Sequence, residues 1–288
     1  MRYIFMRFPG GVGKAVTFSY DDGSKKDMRF SDLLTKYNLK GTFNLNGEEL
    51  RRDWDYCMST EETKKYILDR GHEIALHGLE HRALGTLRPV EGIKEVYECR
   101  CELEERYNTI IRGFAYADSG VLGFENGACY EDVESYLKHL DIAYARSLEI
   151  GYNDFSMPRD WYAWQPTVHH YDDKIFKYIE EFVGIDLSPK GHVQSGVTPR
   201  LFFIWGHSSE FGDDENGWAH MEKICQEISG KDDIWYATNI EIYNYTKAYE
   251  SLIWSAKGTR VYNPALQDIW FDVDGKLYCV KSGETLSF

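Results

Sequence analysis

The feature that most restricts the fold is a repeated texture: short runs of β-branched and aromatic residues alternate with stretches whose apolar residues fall at helical spacing. Ala15–Tyr20 opens the series as a buried strand, and Asp27–Tyr37, with Phe30, Leu33, Leu34 and Tyr37 three and four apart, predicts a helix. Gly41–Gly47 is a strand bounded by glycines, which completes one β-α-β unit. A helix over Thr60–Arg70, opened by the Ser59/Thr60-Glu61-Glu62 capping signal and stopped at Gly71, leads to a strand at His72–Leu76. The pattern continues with helices over Val90–Tyr107, Glu131–Leu140, Asp172–Phe182 and Gly217–Ser229. Strands fall between them at Ile110–Tyr116, Ile142–Ser147, Val168, Leu201–Trp205 and Ile234–Thr238. Roughly seven such units predict a parallel sheet, and at this length a closed barrel suits them better than an open sheet, although alternation alone fits both.

Beyond Tyr249 the texture changes. Ile269–Val280 reads as two alternating strands around Asp274-Gly275, a hairpin signal. The expected division is a barrel over residues 1–249 and a β-hairpin extension over 250–288 packed on it. A formal net charge of −14 over 288 residues argues against nucleic acid and anionic membrane as partners, because phosphate binding needs a basic face. The expected substrate is neutral or cationic. No apolar run approaches the ~20 residues of a membrane span, and Arg7 interrupts the N-terminal apolar stretch, so the expected location is cytoplasmic. Six irregularly spaced cysteines, with Cys99-Arg100-Cys101 as the closest pair, predict free thiols in a reducing compartment.

Three strand ends carry the candidate chemistry. Asp21-Asp22-Gly23 ends the first strand with two adjacent carboxylates, which repel unless a cation or a proton neutralises one. His77-Gly78-Leu79-Glu80-His81 follows another strand and sets two imidazoles four residues apart, able to share a cation with one carboxylate and leave room for water. Trp205-Gly206-His207 ends the most apolar strand. In a barrel the C-terminal ends of the strands meet on one face, where active sites are built.

Taken in this order, the three motifs resemble the first, second and last motifs of the polysaccharide deacetylase family, carbohydrate esterase family 4, with the match running from Lys14 to Tyr243. The resemblance implies a distorted (β/α)7 barrel that removes acetyl groups from N- or O-acetylated amino sugars or oligosaccharides with a divalent metal. That metal would be zinc, with cobalt, manganese or nickel as alternatives. It implies Asp21 as general base, Asp22, His77 and His81 as metal ligands, His207 as general acid, and Trp205 as a wall of the acetyl pocket. The third motif is matched by Gly113–Gly120, with Tyr116 and Asp118 as substrate-binding residues and an oxyanion-stabilising N–H at Asp118; Pro158-Arg159-Asp160-Trp161 stands for the fourth, with Trp161 as a sugar platform. Ala115 occupies the place of that motif's arginine, and Arg112 and Arg146 are the candidates to replace it. Glu210 is expected either to position His207 or to cap the following turn. Two other readings follow from the departures. One is a C–N hydrolase of a small cytoplasmic amide with the same metal site, and the other a non-catalytic sugar-binding homologue.

Overall fold

The computed structural model describes residues 2–47, 56–118, 128–148, 154–188 and 197–288. Its centre is Lys14–Asp21 (β2, after β1 at Ile4–Arg7). The sheet continues with β3 (Thr42–Leu45), β4 (Glu73–Leu76), β5 (Gly113–Ala115), β6 (Tyr144–Arg146), β7 (Val168–His169), β8 (Arg200–Gly206) and β9 (Ile234–Tyr236). The order is β6-β5-β4-β3-β2-β8-β7 and every pairing is parallel. One edge of β2 is divided: β9 pairs with Lys14–Val16, and β3 with Ser19–Asp21. The two outer strands are linked by residues 164–169. Trp164 donates its N–H to the Ala145 carbonyl and accepts from Ser147, both at 3.0 Å, whereas Thr167 N–H donates to the Phe203 carbonyl at 2.8 Å. This curled parallel sheet, which the alternation predicted, is the distorted (β/α)7 barrel that the resemblance implied.

Side chains alternate across each strand, and the two faces differ in chemistry. Val16, Phe18, Tyr20, Phe43, Leu45, Ile74, Leu76, Phe114 and Ile204 form one buried apolar cluster with the helices around the sheet. Those helices are Lys26–Lys36 (α1), Thr60–Tyr66 (α2), Pro89–Tyr107 (α3), Tyr130–His139 (α4), Ile175–Val183 (α5) and Glu215–Ile228 (α6). The residues between them face each other in the barrel and are largely polar. Asn44 Nδ2 donates to Ser19 Oγ at 2.8 Å, and Thr42 and Tyr144 donate their hydroxyls to Glu73 at 2.8 and 2.7 Å. Glu73 Oε2 also accepts the Ile240 N–H at 2.8 Å, at the start of a further helix, Asn239–Glu250 (α7), which the sequence reading did not anticipate.

The predicted hairpin forms as Ile269–Val273 and Lys276–Val280, turned at Asp274 and Gly275 with φ of 51° and 83°. Its outer partner is β1, antiparallel from Ile4–Val273 to Arg7–Trp270, so residues 4–7 belong to the C-terminal sheet and the boundary at 249 does not divide the chain cleanly. A second small sheet joins Ile253–Trp254, Arg260–Tyr262 and Thr285–Ser287. Phe271, Val261 and Ile269 are buried in one cluster with Ala15, Tyr144, Trp164 and Phe203 of the barrel. All six cysteines are free. Among the described residues no helix is long and apolar enough to cross a membrane.

Burial raises the Glu73 carboxyl to about 7, against the lowering effect of its three hydrogen bonds. A carboxyl raised on folding stabilises fully below its unfolded pKa of about 4.3, and that contribution disappears as pH rises through about 7. Glu73→Gln should therefore flatten the decline in stability between about pH 4.5 and 7.5 by on the order of 3 kcal/mol. Urea melts of both proteins across that window check it, and parallel curves would contradict it.

Candidate metal and catalytic site

Asp21 is the last residue of β2 and lies inside the barrel, 2% exposed. Its Oδ1 accepts from Asn44 Nδ2 at 2.7 Å and its Oδ2 from the Arg146 guanidinium at 2.8 Å. Burial would raise this carboxyl, but the Arg146 charge, reinforced by His77 and His207, draws it down to about 2. Arg146 is fully buried on β6, and its guanidinium lies 5.2 Å from the Trp205 ring centroid. Of the two arginines offered by the sequence, it is the one that reaches Asp21; Arg112 pairs with Asp141 at the surface.

Asp22 leaves the strand with φ of 77°, the left-handed region, and Gly23 follows at 65°. Its N–H still donates to the Asn44 carbonyl at 3.0 Å, so the turn starts without losing the sheet hydrogen bond. Across from it, His77 extends β4 and donates Nδ1–H to the Ala115 carbonyl at 2.9 Å; that oxygen can only accept, so Nε2 offers its lone pair. Burial lowers the His77 pKa despite the pull of Asp21 and Asp22, favouring the neutral, ligating form. His77 Nε2 and His81 Nε2 stand 3.8 and 3.9 Å from Asp22 Oδ1.

Asp22 Oδ1 is buried with no hydrogen-bond partner. A buried acceptor without a donor is costly, and here its neighbours are two imidazole nitrogens too distant to hydrogen bond. Two donors each about 2.1 Å from a shared ion stand no more than about 4.2 Å apart, and both distances satisfy that limit. Asp22, His77 and His81 therefore fit a divalent cation by donor chemistry and by spacing.

His207 follows β8, with Nε2 3.7 Å from Asp21 Oδ2 and 3.9 Å from Asp22 Oδ2. Its other nitrogen, Nδ1, is 3.5 Å from Glu210 Oε2, which also accepts the His207 backbone N–H at 3.0 Å. Burial opposes a charge on this imidazole, but Glu210, Asp21 and Asp22 outweigh it and hold the pKa up at about 9. Glu210 thus does both things expected of it, capping the turn and facing the imidazole. His169 bonds to the same oxygen at 3.1 Å; its Nδ1 accepts from the Tyr171 N–H, so Nε2 is the donor. His169, His207 and Glu210 also stand close enough to hold an ion, but with its proton on Nε2 His169 makes this group a hydrogen-bonded relay.

The structure brings Asp21, Asp22, His77, His81, His207 and Trp205 together. Asp118, largely exposed at φ 51°, sits 3.8 Å from His81 Nδ1 on the rim. Two expected substrate contacts lie elsewhere. Tyr116 falls on the outward alternation of its strand, packs against Phe114 in the helix-facing core, and donates its hydroxyl to the Tyr162 carbonyl at 3.0 Å. Trp161, half-buried, packs edge-on against Trp164 and Tyr243 at the cluster shared with the C-terminal sheets. Ser119 and Gly120 of the third-motif stretch lie outside the described residues. Asn44 was missed by the sequence reading, although its position inward on β3, level with Asp21, is the signal that marks it.

A family model described as polysaccharide deacetylase matches residues 10–125. No curated protein sequence matches the chain. A solved structure from Mycobacterium smegmatis, assigned as a polysaccharide deacetylase, is similar with a TM-score of 0.58 at 16% identity, covering 87% of this chain and 96% of that one. One from Pseudomonas aeruginosa with the same assignment gives 0.57 at 14% identity, over 82% and 92%. A mutant of a Bacillus anthracis family 4 pseudoenzyme, with restored enzymatic activity, gives 0.51 at 15% identity, over 83% and 70%.

Removing one partner of a buried ion pair strands the other charge, typically at about 3–5 kcal/mol. Arg146→Met should destabilise by about that amount at pH 7 in urea melts, and Asp21→Asn in the same chain should restore much of it. A loss below about 1 kcal/mol would show that the pair is solvent-screened.

Proposed function

We propose that this chain, whose residues 10–125 match the polysaccharide deacetylase model, is a hydrolase of that family and removes acetyl groups from N-acetylated amino sugars or short oligosaccharides. The observation that carries the reading is the convergence of Asp22, His77 and His81 on one point, with Asp21 and His207 3.7 Å apart beside it. Asp22, His77 and His81 would hold a divalent ion, zinc by the family resemblance, which when bound would supply Lewis acidity toward the acetyl carbonyl and water.

The remaining work belongs to the chain. Asp21, fixed on one oxygen by Asn44 and on the other by Arg146, accepts a proton from the attacking water. A carboxylate held at low pKa is a modest base, but it stays ionised and in place throughout. His207, kept protonated, gives its Nε2 proton to the departing nitrogen, which without that proton is too basic to leave. Glu210 holds the opposite side of this ring, so the donating nitrogen faces the reaction centre. Arg146 supports the catalytic reading over the non-catalytic one, since it contacts Asp21 in the absence of an arginine at Ala115. The Trp205 ring, beside the Arg146 guanidinium and the His207 imidazole, offers an apolar surface suited to an acyl methyl group.

Acetate release from N-acetylglucosamine oligomers with added zinc or cobalt tests the reading. Asp21→Asn should lower the rate by about 10²–10⁴, and a chelator should abolish it reversibly. Equal rates for wild type and Asp21→Asn across amide and ester substrates would reject it. Loss of the acid should matter less when the leaving group needs no proton. His207→Ala should therefore slow N-acetyl substrates by about 10²–10⁴ but activated aryl acetates much less, and equal losses on both would remove His207 from the acid role.

A further inference from the structure

The four-residue step from His77 to His81 is shaped by a side chain from another element. Leu79 N–H donates to the backbone carbonyl of Glu95 on α3 at 3.0 Å. The N–H groups of Glu80 and Arg82 both donate to Glu95 Oε1 at 2.9 Å. Amides two residues apart that converge on one anion form a backbone nest, which needs a left-handed residue beside them. That residue is His81, at φ 55°. The conformation that turns this ligand toward Asp22 is therefore the conformation that wraps the chain around a carboxylate.

Gly78 makes the approach possible. It adopts φ 92°, and a Cβ there would stand 2.6 Å from Glu95 Oε1. The other side of the loop is fastened by Asn46 Nδ2, 2.8 Å from the His77 carbonyl, and by Gly47 N–H, 3.0 Å from the Gly78 carbonyl. Glu95 is buried, at 5% exposure, so its carboxylate is kept dry by the loop that it organises.

We propose that Glu95 is the positioning residue of the metal site: its carboxylate nucleates the nest that sets His81 at ligating distance from Asp22 and His77, with Gly78 as the small residue that admits it. The inference rests on the assignment of Asp22, His77 and His81 as ligands. It predicts a site prepared before any metal arrives, since the charge that orders the loop comes from the chain itself.

Zinc affinity of the full chain, measured by competition with a chromophoric chelator, and the visible spectrum of the cobalt-loaded protein test it. Glu95→Ala should weaken zinc by about 10–100-fold, as removal of groups that orient metal ligands does, and should alter the cobalt bands. Glu95→Gln keeps an oxygen for the two N–H groups and should recover much of the loss. Gly78→Ala, which leaves Glu95 in the chain but crowds it, should reproduce the alanine phenotype, and it decides the matter if Glu95→Ala does not fold. Wild-type zinc affinity and cobalt spectrum in both alanine variants, with Asp22→Asn impaired, would overturn the positioning role alone. Zinc binding indifferent to Asp22→Asn would overturn the ligand assignment and this inference together.

Discussion

A buried ion pair, Asp21 with Arg146, is the contact on which the interior of this barrel is built. Two full charges with 2% and 0% of their side chains exposed persist only when each is opposite the other and hydrogen bonded. The geometry supplies both conditions: strand β2 ends at the carboxylate, β6 ends at the guanidinium, and Asn44 on β3 takes the remaining oxygen. The pair thereby ties three non-adjacent parts of the sequence at one height in the barrel. The oxygen held by Arg146, Oδ2, is also the one that faces the imidazoles of His77 and His207, at 3.9 and 3.7 Å. A carboxylate is kept ionised in a dry site here by pairing rather than by solvent.

Much of this was legible in the chain. The alternation of β-prone and helical stretches specified the parallel strands because each pattern has its own period, and the motifs at three strand ends pointed to the residues that meet. What the sequence could not show was distance. Arg146 and Arg112 are equally plausible as letters, and only the order of strands sets one in the interior and the other on the surface beside Asp141. Tyr116 and Trp161 illustrate the opposite difficulty: an aromatic residue suits a sugar platform and an apolar core equally well. The phase of Tyr116 on its strand puts it in the core, and the ring contacts of Trp161 with Trp164 and Tyr243 pack it, half-buried, against the second cluster. The helix Asn239–Glu250 escaped notice because its apolar face is weakly marked, and its start depends on the Thr238–Glu241 capping box and on Glu73 from inside the barrel.

The two polar groups stacked in the barrel behave differently for one reason. Asp21 has a cation against it and its carboxyl falls to about 2; Glu73, with hydroxyl and amide donors only, rises to about 7. At Glu73 the hydrogen bonds do not offset burial, whereas at Asp21 a neighbouring charge does. The same contrast separates a group suited to chemistry from one that fastens a helix.

Asp22 and His81 both occupy backbone conformations that side chains disfavour, at φ 77° and 55°. Each such residue is about 1–2 kcal/mol less comfortable than glycine would be in the same place. Stability by itself therefore pulls these positions toward glycine, and under the proposed function it is metal binding that keeps an aspartate and a histidine there. In a lineage where that benefit lapsed, this proposed metal site is where drift should begin, with an intact barrel left behind.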